Sequence, residues 1–157
     1  MAVKIGDTAP DFNIIGTDRN AITLGQYKDK NLVLLFFPFA FSSTCTKELC
    51  QMRDDLHRYQ GLNAEILGVS VDSFHALNKF RELERLPFHL GSDFNKDMAR
   101  AYGCLQEEWS LGMKGVAKRS AFLIDKSAVI RYIEILENPG ELPNFKAIQE
   151  CLLKLRH

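Results

Sequence analysis

The stretch LVLLFFPFAFSSTCTKELC, Leu32 to Cys50, joins the longest apolar run of the chain to two cysteines five residues apart. Leu32 to Phe37 is apolar at every position, which predicts a central strand covered on both faces. Pro38 stops the ladder, because it offers no backbone N–H. Ser42, Ser43 and Thr44 are good N-cap residues, so a helix is predicted to begin there. From Thr44 to about Tyr59 the apolar positions Leu49, Met52, Leu56 and Tyr59 are spaced for one helical face.

Working outward, the same periodicity predicts an alternation of strands and helices. Ile14-Ile15 and Ala21 to Leu24, around Thr17 to Asn20, read as a short hairpin. Ala64 to Val71 reads as a second buried strand, and Ser120 to Asp125 with Ala128 to Leu136 as a further pair turning at Lys126-Ser127. Ser73 to Leu86 is a helix with Ala76, Leu77, Phe80 and Leu83 on its face, ended by Pro87. A short helix is predicted around Asn95 to Tyr102. Pro143 can open a last helix, with Phe145, Ile148, Leu152 and Leu155 as its stripe. The order is β-β, β-α-β-α, a short helix, β-β, α. That is an α/β plan of the thioredoxin-like kind, a mixed central sheet with helices on both faces.

The 157 residues predict a single domain spanning 1–157. A chain of that size buries roughly 68–70% of its unfolded surface, enough for a substantial core. Composition, 46% hydrophobic and 25% charged, is ordinary for a soluble globular protein. Twenty basic residues balance twenty acidic ones, so nothing draws the chain to nucleic acid or to anionic lipid. No apolar stretch approaches the roughly 18–20 residues of a membrane span. Met1-Ala2-Val3-Lys4 carries no apolar signal region, and a cytoplasmic location is the expectation.

The four cysteines are Cys45, Cys50, Cys104 and Cys151. In a reducing compartment they are not expected to form a permanent disulfide framework. There is no Cys-x-x-Cys, Cys45 and Cys50 make a poor metal half-site, and His57, His75, His89 and His157 form no ligand-like pair. No metal and no cofactor are expected. A buried cysteine is most often a small hydrophobic filler, and this reading suits Cys151, beside Leu152, and Cys104. It does not suit Cys45, where strand exit, proline, hydroxyls and helix start converge.

In an open α/β sheet, ligands gather beyond the carboxyl ends of the parallel strands, which is where Phe36-Phe37 ends. Cys45 then lies in the first helical turn. Free backbone N–H groups and the positive end of the helix dipole favour an anion there, a thiolate included. Cys45 precedes Leu49 by four residues and so faces inward. Cys50 is turned about 140° away, among Arg53, Asp54 and His57. Helix geometry puts the two α-carbons roughly 8–9 Å apart, whereas a disulfide needs about 4.4–6.8 Å. Joining them requires the first turns to unwind.

Pro38-Phe39-Ala40-Phe41-Ser42-Ser43-Thr44-Cys45 resembles the peroxiredoxin signature, with proline, then a hydroxyl four residues on, then cysteine three further. Ser42 fills the hydroxyl position. Gly6-Asp7-Thr8-Ala9-Pro10-Asp11-Phe12 is similar to the family's N-terminal G-x-x-A-P-D-F, and Lys118 to Asp125 to its arginine-bearing strand. The likeness covers nearly the whole chain. It is nearest to the AhpE group, whereas Cys50 resembles the second cysteine of the bacterioferritin comigratory protein group. The resemblance implies a thiol peroxidase with Cys45 as the attacking cysteine and Pro38, Ser42 and Arg119 completing its site. Glu48 matches a glutamate that orients an arginine. The resemblance further implies that Cys45 would become a sulfenic acid and condense with Cys50 or with an external thiol. Hydroperoxides are the implied substrates. A thioredoxin-like, glutaredoxin-like or low-molecular-weight thiol is the implied reductant, and the implied assembly is a monomer or homodimer.

The chemistry needs more than ionisation. A cysteine with pKa near 8.5 is about 3% thiolate at pH 7, and a pKa of about 6 makes it roughly 90%. The accompanying loss of nucleophilicity cancels roughly tenfold of that thirtyfold gain, leaving about threefold. The larger part must come from donors aimed at the departing oxygen, namely the Ser42 hydroxyl, the Arg119 guanidinium and the Cys45 N–H, while Pro38 shields the sulfur. Taken without the resemblance, Arg119 reads equally well as a surface ion pair. "GMKGVAKR", Gly112 to Arg119, reads as a basic, flexible, solvated loop, and it lacks the residues of a phosphate loop. Two other readings use the same residues: a thiol–disulfide oxidoreductase, which the missing Cys-x-x-Cys disfavours, and a non-catalytic redox sensor or holdase.

Overall fold

The apolar run forms β3, Asn31–Phe36, buried at every residue. The computed structural model describes residues 3–155; Met1, Ala2, Arg156 and His157 lie outside them, and with them the reading of the first two residues and of His157. Alternation along β3 divides the core. Val33, Leu35 and Phe37 join one apolar cluster, and Leu32, Leu34 and Phe36 join the other. A strand that is greasy on both sides is thereby covered on both sides.

The preceding hairpin is β1, Asn13–Gly16, with β2, Ala21–Thr23. After β3 come α1, Ser43–Asp54, and α2, Leu56–Gln60. The chain then forms β4, Ala64–Ser70, α3, Phe74–Glu84, and β5, His89–Ser92. Next are α4, Asp97–Ala101, and a two-stranded ribbon of β6, Leu105–Glu108, with β7, Lys114–Ala117. Last are β8, Ser120–Ile124, β9, Ile130–Ile135, and α5, Phe145–Lys154. The seven-stranded sheet has the order β2-β1-β5-β4-β3-β8-β9, with β3, β4 and β5 parallel and the other pairs antiparallel. This is the mixed sheet of a thioredoxin-like fold. Because β3, β4 and β5 step in one direction, both crossovers fall on the same side. Leu49 and Met52 of α1, Phe80 of α3 and Ile148 of α5 therefore share one cluster, while Met98 and Ala99 of α4 pack on the opposite face.

Four elements depart from the sequence reading. The helix predicted to reach Tyr59 breaks at Asp55, whose backbone (φ −99°, ψ 10°) leaves the helical region. Asp54 and Asp55 place two acids at the negative end of the dipole, where they are unfavourable. His89–Ser92 was not expected as a strand because Leu90 is its one bulky apolar residue. It forms because β4 and β1 flank it, with Gly91 tucked so closely under Ile14 that a Cβ would lie 2.3 Å from the Ile14 Cδ1 atom. The basic stretch Gly112 to Arg119 is no solvated loop, since β7 pairs with β6 and Val116, Ala117 and Arg119 are buried. The last helix is capped by Asn144, whose side chain accepts from the Ala147 N–H, so Pro143 precedes the cap instead of opening the first turn.

Candidate active site

The site forms where β3 hands over to α1. Phe37 still bonds β4 through its N–H to the Val69 carbonyl, at 3.0 Å, and Pro38 then leaves the sheet and is buried. Asp72, just past β4, holds the connecting loop by accepting from the Ala40 N–H at 2.8 Å and from the Ser70 hydroxyl at 2.6 Å. Phe41 adopts a left-handed backbone (φ 71°), an uncommon state for a bulky residue. Such strain collects at functional sites. Of the three hydroxyls, Ser42 is the cap. Its Oγ accepts from the Cys45 N–H at 3.4 Å and donates to the Phe39 carbonyl at 3.1 Å, while the Thr46 hydroxyl donates to the Ser42 carbonyl at 2.8 Å. Cys45 sits in the first turn of α1 and is fully buried.

The tertiary fold brings Arg119 to this sulfur from 74 residues away in the chain. Arg119 lies between β7 and β8, and β8 is the direct neighbour of β3. It is 2% exposed, so the surface ion-pair reading is set aside. Its Nη2 lies 3.2 Å from Cys45 Sγ and 3.0 Å from the Pro139 carbonyl, and its Nη1 donates to Glu48 Oε1 at 2.7 Å. Glu48 is one turn after Cys45 and is fully buried. Ser42, Cys45, Glu48 and Arg119 thus meet at one end of the sheet, and Pro38 opens the loop that leads to them. Cys50 stands apart: it is half-buried on the flank of α1 and its thiol donates to Glu84 Oε2 at 3.3 Å. Cys104 is a buried core thiol pushed up to about 12 by burial, and Cys151 packs partly buried against the core.

The buried trio of Cys45, Arg119 and Glu48 cannot hold two negative charges cheaply against one positive charge. Burial disfavours the charge on Arg119, but Glu48 and Cys45 outweigh it and the guanidinium is held above its ordinary range. Glu48 keeps one oxygen, Oε2, buried without a partner. Burial pushes its carboxyl up to about 7, against the pull of Arg119. A carboxyl raised above its unfolded value of about 4.3 binds a proton that the unfolded chain has already released. Stability is therefore greatest below about pH 4.3 as far as this group is concerned, and it is lost as pH rises through about 7. We expect Glu48→Gln to flatten a decline of order 1–3 kcal/mol across that window, read from denaturant unfolding at a series of pH values. An identical slope in the variant would rule out the raised carboxyl.

Two partners of these residues, one at the site and one on the far flank of α1, had no sequence signal. The Pro139 carbonyl, in the loop after β9, accepts from both Nε and Nη2 of Arg119. Glu84 reaches Cys50 from the end of α3. Neither residue type at either position says which helix or side chain it will face.

A sulfur at a helix start beside a guanidinium is the setting in which cysteines act as nucleophiles and redox centres. A family model described as the AhpC/TSA family matches residues 5–133. Peroxiredoxin Bcp of Bacillus subtilis is 37% identical over 127 residues, covering 80% of this chain and 81% of that one. Alkyl hydroperoxide reductase E of Mycobacterium tuberculosis is 32% identical over 156 residues, covering 98% of each chain. The crystal structure of peroxidoxin BcpB from Mycobacterium tuberculosis superposes with a TM-score of 0.83 at 28% identity, over 98% of this chain and 96% of that one. The chain belongs to the AhpC/TSA family, the peroxiredoxins, and is a thiol peroxidase. Among the described residues, no helix is long and apolar enough to cross a membrane.

Proposed function

We propose that Cys45 is the attacking cysteine and that the enzyme reduces hydrogen peroxide and organic hydroperoxides through a sulfenic acid. The observation that carries this reading is the Arg119 Nη2 atom 3.2 Å from a sulfur buried at a helix start. The Cys45 sulfur attacks one peroxide oxygen, the O–O bond breaks, and the other oxygen departs with the electron pair and takes up a proton. Arg119 sits where it can follow charge from sulfur to that departing oxygen. Ser42 and the Cys45 N–H, which bond each other at 3.4 Å, are the two donors that an incoming oxygen would share. Glu48 and the Pro139 carbonyl fix the guanidinium plane, and Pro38 walls the sulfur from water.

The sulfenic acid then condenses with Cys50 to a disulfide, which a thioredoxin-like, glutaredoxin-like or low-molecular-weight thiol reduces. Both cysteines lie within α1, so the bridge needs the first turns of that helix to unwind. The anchoring supports this order of events. Leu49 and Met52 are buried in the core, whereas of residues 43–46 only Cys45 is buried, through its side chain and its contact with Arg119, and Ser43 is exposed. The chain acts as one unit over residues 1–157, as a monomer or homodimer, in the cytoplasm.

Mass spectrometry after one equivalent of peroxide tests the cycle. The wild-type chain is expected to show a Cys45–Cys50 disulfide, and Cys50→Ser a stable sulfenic acid on Cys45. Wild-type protein that stays at the sulfenic acid, with no bridge, would make this a one-cysteine enzyme resolved by an external thiol.

A further inference from the structure

Cys50 is tied to a second helix. Its thiol donates to Glu84 Oε2 at 3.3 Å, and one turn further along α1 Arg53 Nη1 donates to the Glu84 carbonyl at 2.6 Å. Glu84 ends α3, immediately before Arg85 in the left-handed conformation (φ 53°). Both ends of one residue, its carboxylate and its carbonyl, therefore grip one side of α1. Arg53 is further held by Asp54, Nε to Oδ1 at 3.0 Å. The charged groups facing Cys50 are Arg53 and Asp54 from its own helix and Glu84 from α3.

A carboxylate that accepts a thiol hydrogen favours the protonated form of that thiol. Burial is the larger influence holding Cys50 protonated, Glu84 adds to it, and Arg53 opposes both. The thiolate, not the thiol, is the nucleophile. The two bonds to Glu84 also tie the middle of α1 to α3.

We propose that Glu84 is a positioning residue that holds Cys50 as an anchored thiol and thereby sets the lifetime of the Cys45 sulfenic acid. This rests on the reading that Cys50 resolves that acid. The resolving step balances without any further reagent. Cys50 releases its proton, its sulfur bonds the Cys45 sulfur, and the sulfenic S–O bond breaks. The hydroxide so formed leaves with a proton as water. Glu84 ends the step as it began, a carboxylate, so its effect lies in the readiness of Cys50 to ionise. A slow resolution leaves the sulfenic acid open to a second thiol or a second peroxide.

Glu84→Gln keeps the side-chain size and the carbonyl that Arg53 grips, and removes the negative charge. Each pH unit by which Cys50 ionises sooner raises its thiolate population about tenfold and lowers its nucleophilicity about threefold. The net gain is about threefold per unit at neutral pH. Quench-flow with dimedone trapping and intact-mass detection, run from about pH 6 to pH 11 with one equivalent of hydrogen peroxide, reads both steps. In Glu84→Gln the sulfenic acid is expected to form at the wild-type rate. Its conversion to the disulfide is expected to run about three- to tenfold faster at pH 7, with the midpoint of the pH–rate curve moved to lower pH.

An unmoved midpoint overturns the proposal, even if the rate rises equally at all pH values, because that marks a mechanical clamp alone. Slower resolution in the variant overturns it too, since Glu84 would then be assisting the step. A wild-type chain that forms no Cys45–Cys50 bridge defeats the resolving role of Cys50 and this proposal with it. A bridge formed with unchanged pH dependence in the variant defeats only the role of Glu84.

Discussion

Cys45→Ser is expected to abolish peroxide consumption, with a fall of at least about 10³-fold in the second-order rate with hydrogen peroxide. A serine hydroxyl is nearly isosteric with the thiol but scarcely ionises at neutral pH and is a far weaker nucleophile towards peroxide oxygen. The substitution leaves the neighbouring framework in place. Arg119 keeps Glu48 and the Pro139 carbonyl as partners, and the Ser42 cap bonds the main chain of residue 45, not its side chain. The loss should therefore appear in rate and not in fold, with a cooperative thermal transition close to that of the wild type. Peroxide consumption by purified protein with dithiothreitol as the reductant is the measurement. Retention of the native pace would overturn the assignment of Cys45 as the attacking residue, and activity would have to be sought at another cysteine.

Arg119 is expected to give the second large effect, and its two functions can be separated. Arg119→Lys keeps a positive charge but cannot span Cys45, Glu48 and Pro139 with a planar fork. We expect about a 10²–10³-fold loss in the peroxide rate, the usual consequence of removing an aimed donor. Arg119→Ala adds a structural penalty, because Glu48 is then buried without a partner. Breaking a buried pair from one side typically costs about 3–5 kcal/mol. The double variant Arg119→Ala, Glu48→Gln removes the stranded acid and should recover part of that stability while recovering none of the rate. Denaturant unfolding and stopped-flow peroxide kinetics on the same three proteins distinguish the two. A double variant restored in both would place Arg119 among the residues that hold the fold and remove it from the chemistry.

Much of this protein is written locally. The unbroken apolar run of β3, the Pro38 exit, the hydroxyls before Cys45 and the i, i+4 placement of Leu49 are short-range signals. Each acts through backbone sterics, caps or periodicity within a few residues. They suffice to put a cysteine, inward-facing, at the start of a helix beyond a central strand, and Cys45 lies there, buried in the first turn of α1. The hairpin, the β8–β9 pair and the stripe of α5 were readable for the same reason.

The rest was decided by adjacency. The strand β5 has too little apolar character to declare itself and forms because β4 and β1 offer it partners on both sides. Lys114 to Arg119 reads as a solvated basic run until β6 pairs with it and the sheet carries Arg119 inside. Glu48, on a helix whose composition suggests an open flank, is fully buried because β8 runs beside β3 and delivers Arg119 to it from 71 residues away. Cys50 finds Glu84 because both crossovers lie on one face of the sheet, setting α3 against α1. Sequence determines what can be settled within a turn or a strand. Which charge meets which sulfur depends on strand order, and strand order is settled only when the whole core closes.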